Sequence, residues 1–125
     1  MYLTNSEEQI MKLLWSLEKA FIRDLLNEFT DPKPAPTTII TLLKRMIDKG
    51  FVGYRQCGNS REYYPIIKKT DYFTRHINGL INDFFDNSTS QFASFFANET
   101  NMSEEELKEL RDIVDKKIAD KKTGI

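Results

Sequence analysis

The sequence predicts a mainly α-helical fold carrying one small β-hairpin, divided into an N-terminal domain over residues 1–69 and a helical region over residues 70–125. Three observations predict it. Apolar residues recur at helical spacing in three N-terminal segments. An aromatic-rich stretch of different period follows, broken by Gly58-Asn59-Ser60. Beyond Thr70 the helical period returns, with phenylalanine prominent. A chain of 125 residues is one ordinary domain, or a small domain with an appended arm.

The first helix opens at Thr4, where Glu7 completes a T-x-x-E capping box. Ile10, Leu14 and Leu17 then repeat at i, i+4 and i+7 beside Met11 and Trp15, giving one apolar stripe. The chain turns around Glu18-Lys19-Ala20. A second, shorter helix is expected from Ile22 to Phe29, with Ile22, Leu25, Leu26 and Phe29 on one face. Pro32, Pro34 and Pro36 remove backbone donors and favour extended geometry, so the stretch they punctuate is a stiff loop. The third helix starts at Pro36 or Thr37 and stops at Gly50, a C′ glycine preceded by Lys49. It buries Ile39, Leu42, Leu43, Met46 and Ile47; Thr37, Thr41, Lys44 and Asp48 lie opposite, flanked by Thr38, Ile40 and Arg45.

Phe51–Cys57 and Arg61–Ile66 read as the arms of a hairpin, and Pro65, unable to donate to a ladder, marks an edge or an end. Three helices and a hairpin in this order make a winged helix-turn-helix. In the second region Thr70 or Asp71 is expected to cap a long helix with Phe73, Ile77, Leu80, Ile81 and Phe84 apolar. A segment from Thr89 to Ala97 is led by Phe92, Phe95 and Phe96, and Asn98-Glu99-Thr100-Asn101 ends it. Ser103 and Glu106 form another capping box, opening a last helix with Leu107, Leu110, Val114 and Ile118 on one face.

Charge narrows the function. The balance of 18 basic against 19 acidic residues argues against coating nucleic acid through sheer positive charge. Its distribution is uneven: residues 1–69 hold 11 basic and 8 acidic side chains (+3), residues 70–125 hold 7 and 11 (−4). From Lys33 to Lys69 eight basic residues face only Asp48 and Glu62, a balance of +6. Such a stretch is a polyanion footprint, or else a solvated face with its counter-charges elsewhere in the fold.

No apolar run approaches the roughly 18 residues of a membrane span, so membrane insertion is not expected. The N-terminus lacks a basic segment followed by an apolar one, so secretion is not expected either. Cys57 is the single cysteine, which rules out an intramolecular disulfide and suits a reducing cytoplasm. With His76 the single histidine, a Cys/His zinc cluster cannot be assembled within the chain.

A duplex reader needs a rod that fits the major groove and side chains that reach bases and phosphates. The third helix offers Thr37, Thr38, Thr41, Lys44 and Arg45: threonine bonds base edges or phosphates, arginine grips guanine through two parallel bonds, and lysine neutralises phosphate. Ile40 either meets a thymine methyl or flanks the core. The hairpin adds Arg55, Asn59, Ser60 and Arg61 around its tip, as a basic wing or as an ordinary solvated hairpin. In the arm, Phe73, Ile77, Leu80, Phe84, Phe92, Phe95, Leu107, Leu110 and Val114 form apolar stripes too short for an independent core. They are to be covered by a second copy of the chain or by the N-terminal domain.

No catalytic, metal or cofactor site is expected. Glu104-Glu105-Glu106 is first-turn acid, Asp83 and Asp86 fit a solvated face, and His76 reads as structural. Cys57 has no resolving cysteine, and the five glycines make no phosphate loop. Two functions stay open on these residues: a DNA reader, and a winged-helix protein-interaction adaptor without DNA binding. Acid on the outward side of the third helix would favour the adaptor, and only Asp48 lies there.

Leu3-Thr4 through Trp15 resembles the opening L-T-x-x-E-x-x-I-M-x-x-L-W of the penicillinase-repressor (BlaI/MecI/CopY) family. Thr37 to Met46, with Lys49-Gly50, is similar to its recognition helix, Tyr63-Tyr64-Pro65 to the end of its wing, and Glu105 to Leu110 to its last helix. The resemblance implies a cytoplasmic homodimeric transcriptional repressor on a dyad-symmetric operator, held together by the C-terminal helices and free of cofactors. For the β-lactam-resistance branch it implies relief by cleavage between those helices, triggered by a membrane sensor peptidase. The matching region is about Phe92 to Asn101, where this chain has Phe95-Phe96 in place of Asn-Phe. The copper-responsive branch ends in a cysteine cluster, and Lys116 to Ile125 contains none.

Overall fold

The computed structural model describes residues 3–124. It forms two compact units; the first ends at Ile77 and the second begins at Asn78, part-way along one helix. The first unit contains α1 (Asn5–Leu17), α2 (Ile22–Asn27), α3 (Pro36–Asp48), β1 (Val52–Cys57), β2 (Ser60–Pro65) and the start of α4 (Lys69–Phe84). The second holds the rest of α4, then α5 (Thr89–Glu99) and α6 (Glu104–Lys122).

Helix α1 starts where the capping box places it. Thr4 Oγ1 accepts from the Glu7 amide at 3.2 Å and Glu7 Oε1 accepts from the Thr4 amide at 2.8 Å, so two orphan donors are satisfied reciprocally. Helix α2 ends at Asn27, two residues short of the expected Phe29, although Phe29 still packs on the core. Helix α3 ends in a Schellman motif. The Phe51 amide donates to Met46 O and the Gly50 amide to Ile47 O, while Gly50 takes φ 85, a left-handed value that costs glycine little.

The hairpin closes more tightly than expected. Val52 pairs with Pro65 and Cys57 with Ser60, leaving Gly58-Asn59 as a two-residue loop; Ser60 belongs to β2 and not to the tip. Gly58 at φ 61 supplies the positive φ that a type II′ turn needs at its first central position. β2 ends at Pro65, as the missing donor requires. On its other side Tyr63 exchanges backbone hydrogen bonds with Ala20, at 2.9 and 2.8 Å. The expected turn at Glu18-Lys19-Ala20 is therefore also a one-residue strand, which ties the entry of α2 to the wing.

The core joins Ile10, Met11 and Leu14 of α1 to Leu25 of α2, Ile39, Leu43 and Met46 of α3, and Val52 and Tyr63 of the hairpin. Tyr72 of α4 completes it. Its ring lies 5.7 Å from Trp15 and 5.9 Å from Phe51, and its hydroxyl donates to Glu8 at 2.7 Å. Trp15 Nε1 donates to Ile67 O at 2.9 Å, fixing the chain that enters α4. Neither Thr70 nor Asp71 caps that helix; it begins at Lys69, and both residues lie in its first turn.

Within the second unit no residue of α5 or α6 is buried. Phe85 gathers Phe92 and Phe95 at 5.6 and 5.5 Å, and Phe92 stacks on Phe96 at 6.2 Å. Ser103 and Glu106 form the expected capping box at the start of α6.

Candidate nucleic-acid interface

A helix presents a face to a partner when its opposite face is held by packing. In α3, Ile39, Leu43 and Met46 are buried, while Thr37, Thr38, Thr41, Lys44 and Arg45 are all exposed. At roughly 100° per residue, Thr37, Thr41 and Lys44 stand opposite the buried stripe, with Thr38 and Arg45 on one flank and Ile40 on the other. The helix is about 20 Å long at 1.5 Å per residue, and the major groove is about 12 Å wide, so the rod fits. Thr41 Oγ1 donates to Thr37 O at 2.9 Å, which spends its hydrogen and leaves its lone pairs and methyl outward.

Ile40 does not flank the core: it is 47% exposed and faces a cleft of about 690 Å³ between α3, the start of α2 and the wing. Arg23 lines this cleft from α2, and Gln56, Asn59, Ser60 and Arg61 line it from the wing. The Arg61 guanidinium lies 4.2 Å from the Tyr54 ring centroid, a cation–π contact that orients it without neutralising it. Arg55 differs: its Nη2 is 3.0 Å from Glu62 Oε1, the residue opposite it across the hairpin. That pair is largely exposed and worth about 0–1 kcal/mol, so it competes weakly with a phosphate. Cys57, and then Glu62, push the Arg55 pKa above its ordinary value, which keeps the side chain charged.

The far end of α3 is anchored by a buried charge. Glu7 is fully buried; its Oε1 accepts from Lys49 Nζ at 2.6 Å as well as from the Thr4 amide, while its Oε2 has no partner among the described residues. Burial would raise the Glu7 pKa, but the hydrogen bonds from Lys49 and Thr4 and the Lys49 charge outweigh it and hold the pKa below its ordinary value.

The expected interface residues of the arm fall in two places. Phe73 and Ile77 belong to the first unit, where Phe73 packs beside Trp15 at 6.2 Å yet remains half exposed. Leu80, Phe84, Phe95, Leu107 and Val114 are exposed, and Phe92 and Leu110 are half-buried. Phe84 is 74% exposed and Ile113, absent from the expected set, 65%.

The sequence profile of the penicillinase repressors matches residues 3–116. The chain belongs to this family. Among the penicillinase-repressor relatives, the methicillin resistance regulatory protein MecI of Staphylococcus aureus (strain N315) is 25% identical over 116 residues, covering 92% of this chain and 94% of that protein. The penicillinase repressor of Bacillus licheniformis is 26% identical over 114 residues, covering 90% and 89%. The solution structure of the DNA-binding domain of the repressor BlaI is similar at a TM-score of 0.49 and 28% identity, over 56% of this chain and 87% of that one.

Two features of this penicillinase repressor were not legible beforehand. Arg23 comes to the cleft only because Ala20 pairs with Tyr63, and a one-residue strand leaves no pattern in sequence. Phe85, and not its neighbour Phe84, holds the phenylalanine cluster. No helix among the described residues is long and apolar enough to cross a membrane.

Proposed function

We propose that this chain represses transcription as a homodimer, setting α3 of each copy into the major groove of a dyad-symmetric operator with the wing on the flanking backbone. That it is a DNA-binding transcriptional repressor follows from its family. The observation that carries the finer reading is the outward face of α3, where Thr37, Thr38, Thr41, Lys44 and Arg45 stand free of the core. In this reading Lys44 neutralises phosphate, Arg45 and the threonines reach base edges, and Asn59, Ser60 and Arg61 of the wing, with Arg55, meet the backbone.

The dimer reading rests on the second unit, whose α5 and α6 bury no side chain while Leu107, Ile113, Val114 and Ile118 lie exposed along α6. A stripe of this size is covered economically by its own copy, with Phe73, Ile77, Leu80, Phe84, Phe92, Phe95 and Leu110 at the margins. Relief by a protease, the step a sensor peptidase would trigger, fits the non-helical link 100–103 better than Phe95-Phe96, which is locked inside α5. A cytoplasmic location completes the proposal.

The test is nuclease footprinting of the DNA upstream of the chain's own gene, with light scattering of the protein alone. The expected result is two protected half-sites spaced by about one helical turn or a multiple of it, and a mass of two chains. Absence of protection overturns the operator reading; a monomer by scattering overturns the dimer.

A further inference from the structure

We propose that the cleft between Arg23, Ile40 and the wing is the seat of one sugar–phosphate strand of a duplex, with Arg23 of α2 and Arg61 of the wing gripping phosphates from its two rims. The proposal rests on the DNA-binding reading and assigns Arg23 a contact that neither the basic Lys33–Lys69 stretch nor the outward face of α3 contains.

Four observations carry it. The cleft is lined by two arginines and by no acidic side chain, so its field is positive and suits an anion. Each arginine rests against a ring, Arg61 at 4.2 Å from the Tyr54 centroid and Arg23 at 5.2 Å from that of Phe21, so both are partly oriented before a ligand arrives. The nearest carboxylate to Arg23 is Asp24, at 3.9 Å, and one of its oxygens is already engaged, accepting from the Phe21 amide at 2.9 Å. The pair is loose and exposed, and a phosphate that bonds the guanidinium directly replaces little.

The fourth observation is the composition of the walls. Ile40, Ile22 and Tyr63 offer apolar surface beside the charged rims, while Gln56, Asn59 and Ser60 offer short polar groups. An alternation of charge, polar hydrogen-bonding groups and apolar wall matches a nucleic-acid backbone, in which charged phosphates alternate with apolar sugar faces. Ile40 lies on the flank of α3 that leads from the groove-facing Thr41 and Lys44 towards the wing. A strand leaving the helix on that side therefore enters the cleft, and Ile40 meets sugar while Thr41 and Lys44 meet the groove.

The experiment measures the salt dependence of binding to a random-sequence duplex by fluorescence anisotropy, for the full-length wild type, Arg23→Ala, Arg23→Lys and Lys44→Ala. Loss of one phosphate contact lowers the slope of log K against log salt by about 0.9. Arg23→Ala is expected to lower it by that amount, and Arg23→Lys to retain the wild-type slope, which a merely structural role for Arg23 does not explain. A second readout uses Cys57, the chain's single cysteine, which lines the same cleft. Saturating duplex is expected to slow alkylation of Cys57 by N-ethylmaleimide several-fold. An Arg23→Ala slope equal to wild type while Lys44→Ala flattens it, or an alkylation rate unchanged by duplex, overturns the cleft and leaves the DNA-binding reading standing. A wild type whose binding shows no salt dependence overturns both.

Discussion

Replacing Lys49 by methionine tests how the end of α3 is held. The substitution keeps most of the aliphatic stem and removes the ammonium that lies 2.6 Å from Glu7 Oε1. Glu7 is fully buried, whereas Lys49 keeps a quarter of its side chain in water, so the two partners are not equivalent. Removing the lysine strands a buried carboxylate with the Thr4 cap as its printed partner; breaking a buried pair in this way costs about 3–5 kcal/mol, and partial exposure puts this one near 3. Glu7→Gln retains an acceptor for the Thr4 amide and returns Lys49 to water, so it costs about 1 kcal/mol.

The pH dependence has a definite sign. The wild-type Glu7 pKa is lowered from 4.5, so the pair contributes stability above that value and loses it as pH falls through the folded pKa. In Lys49→Met burial dominates and the carboxyl protonates readily, so the gap between variant and wild type narrows on acidification from pH 7. The assay is urea unfolding at fixed protein concentration, followed by the fluorescence of Trp15, the single tryptophan, which reports on the first unit. A Lys49→Met cost within about 0.5 kcal/mol of zero, the reverse ranking of the two variants, or a gap independent of pH refutes the reasoning.

Three further outcomes are expected. Lys44→Ala weakens binding to specific and random duplexes alike and lowers the salt slope by about 0.9; an unchanged slope removes Lys44 from the phosphate contacts. Arg45→Ala costs about 1–3 kcal/mol on the specific site and little on a scrambled one, by anisotropy; an equal loss on both makes Arg45 a backbone contact. Val114→Asp places a charge in the exposed apolar stripe of α6, so light scattering should give a monomer while the Trp15-monitored unfolding of the first unit stays within about 0.5 kcal/mol of wild type; a persistent dimer moves the interface off α6.

What could be read in advance was what short-range chemistry determines. The Thr4–Glu7 and Ser103–Glu106 boxes, the buried stripe of α3 and its Gly50 stop each act within one or two turns, and the structure contains them as read. What escaped depends on distance along the chain. Tyr72 joins a core built mainly from residues before 64, and Lys49 reaches Glu7 from 42 positions away. The Ala20–Tyr63 bridge, which brings Arg23 towards the wing, spans a similar gap with one residue. Phe84 and Phe85 are neighbours roughly 100° apart on a helix, and periodicity alone could not choose between them where α4 ends and Asp86 and Asn87 turn to positive φ. The −1 overall charge was uninformative for a related reason: it averages a +3 segment holding α3 and the wing with a −4 segment holding the arm.

The most direct measurement compares affinity for the duplex upstream of the chain's own gene with affinity for its scrambled sequence, by fluorescence anisotropy at one fixed salt concentration. A sequence-specific repressor is expected to bind the former at least about 10³-fold more tightly. Equal affinity for the two would contradict the account.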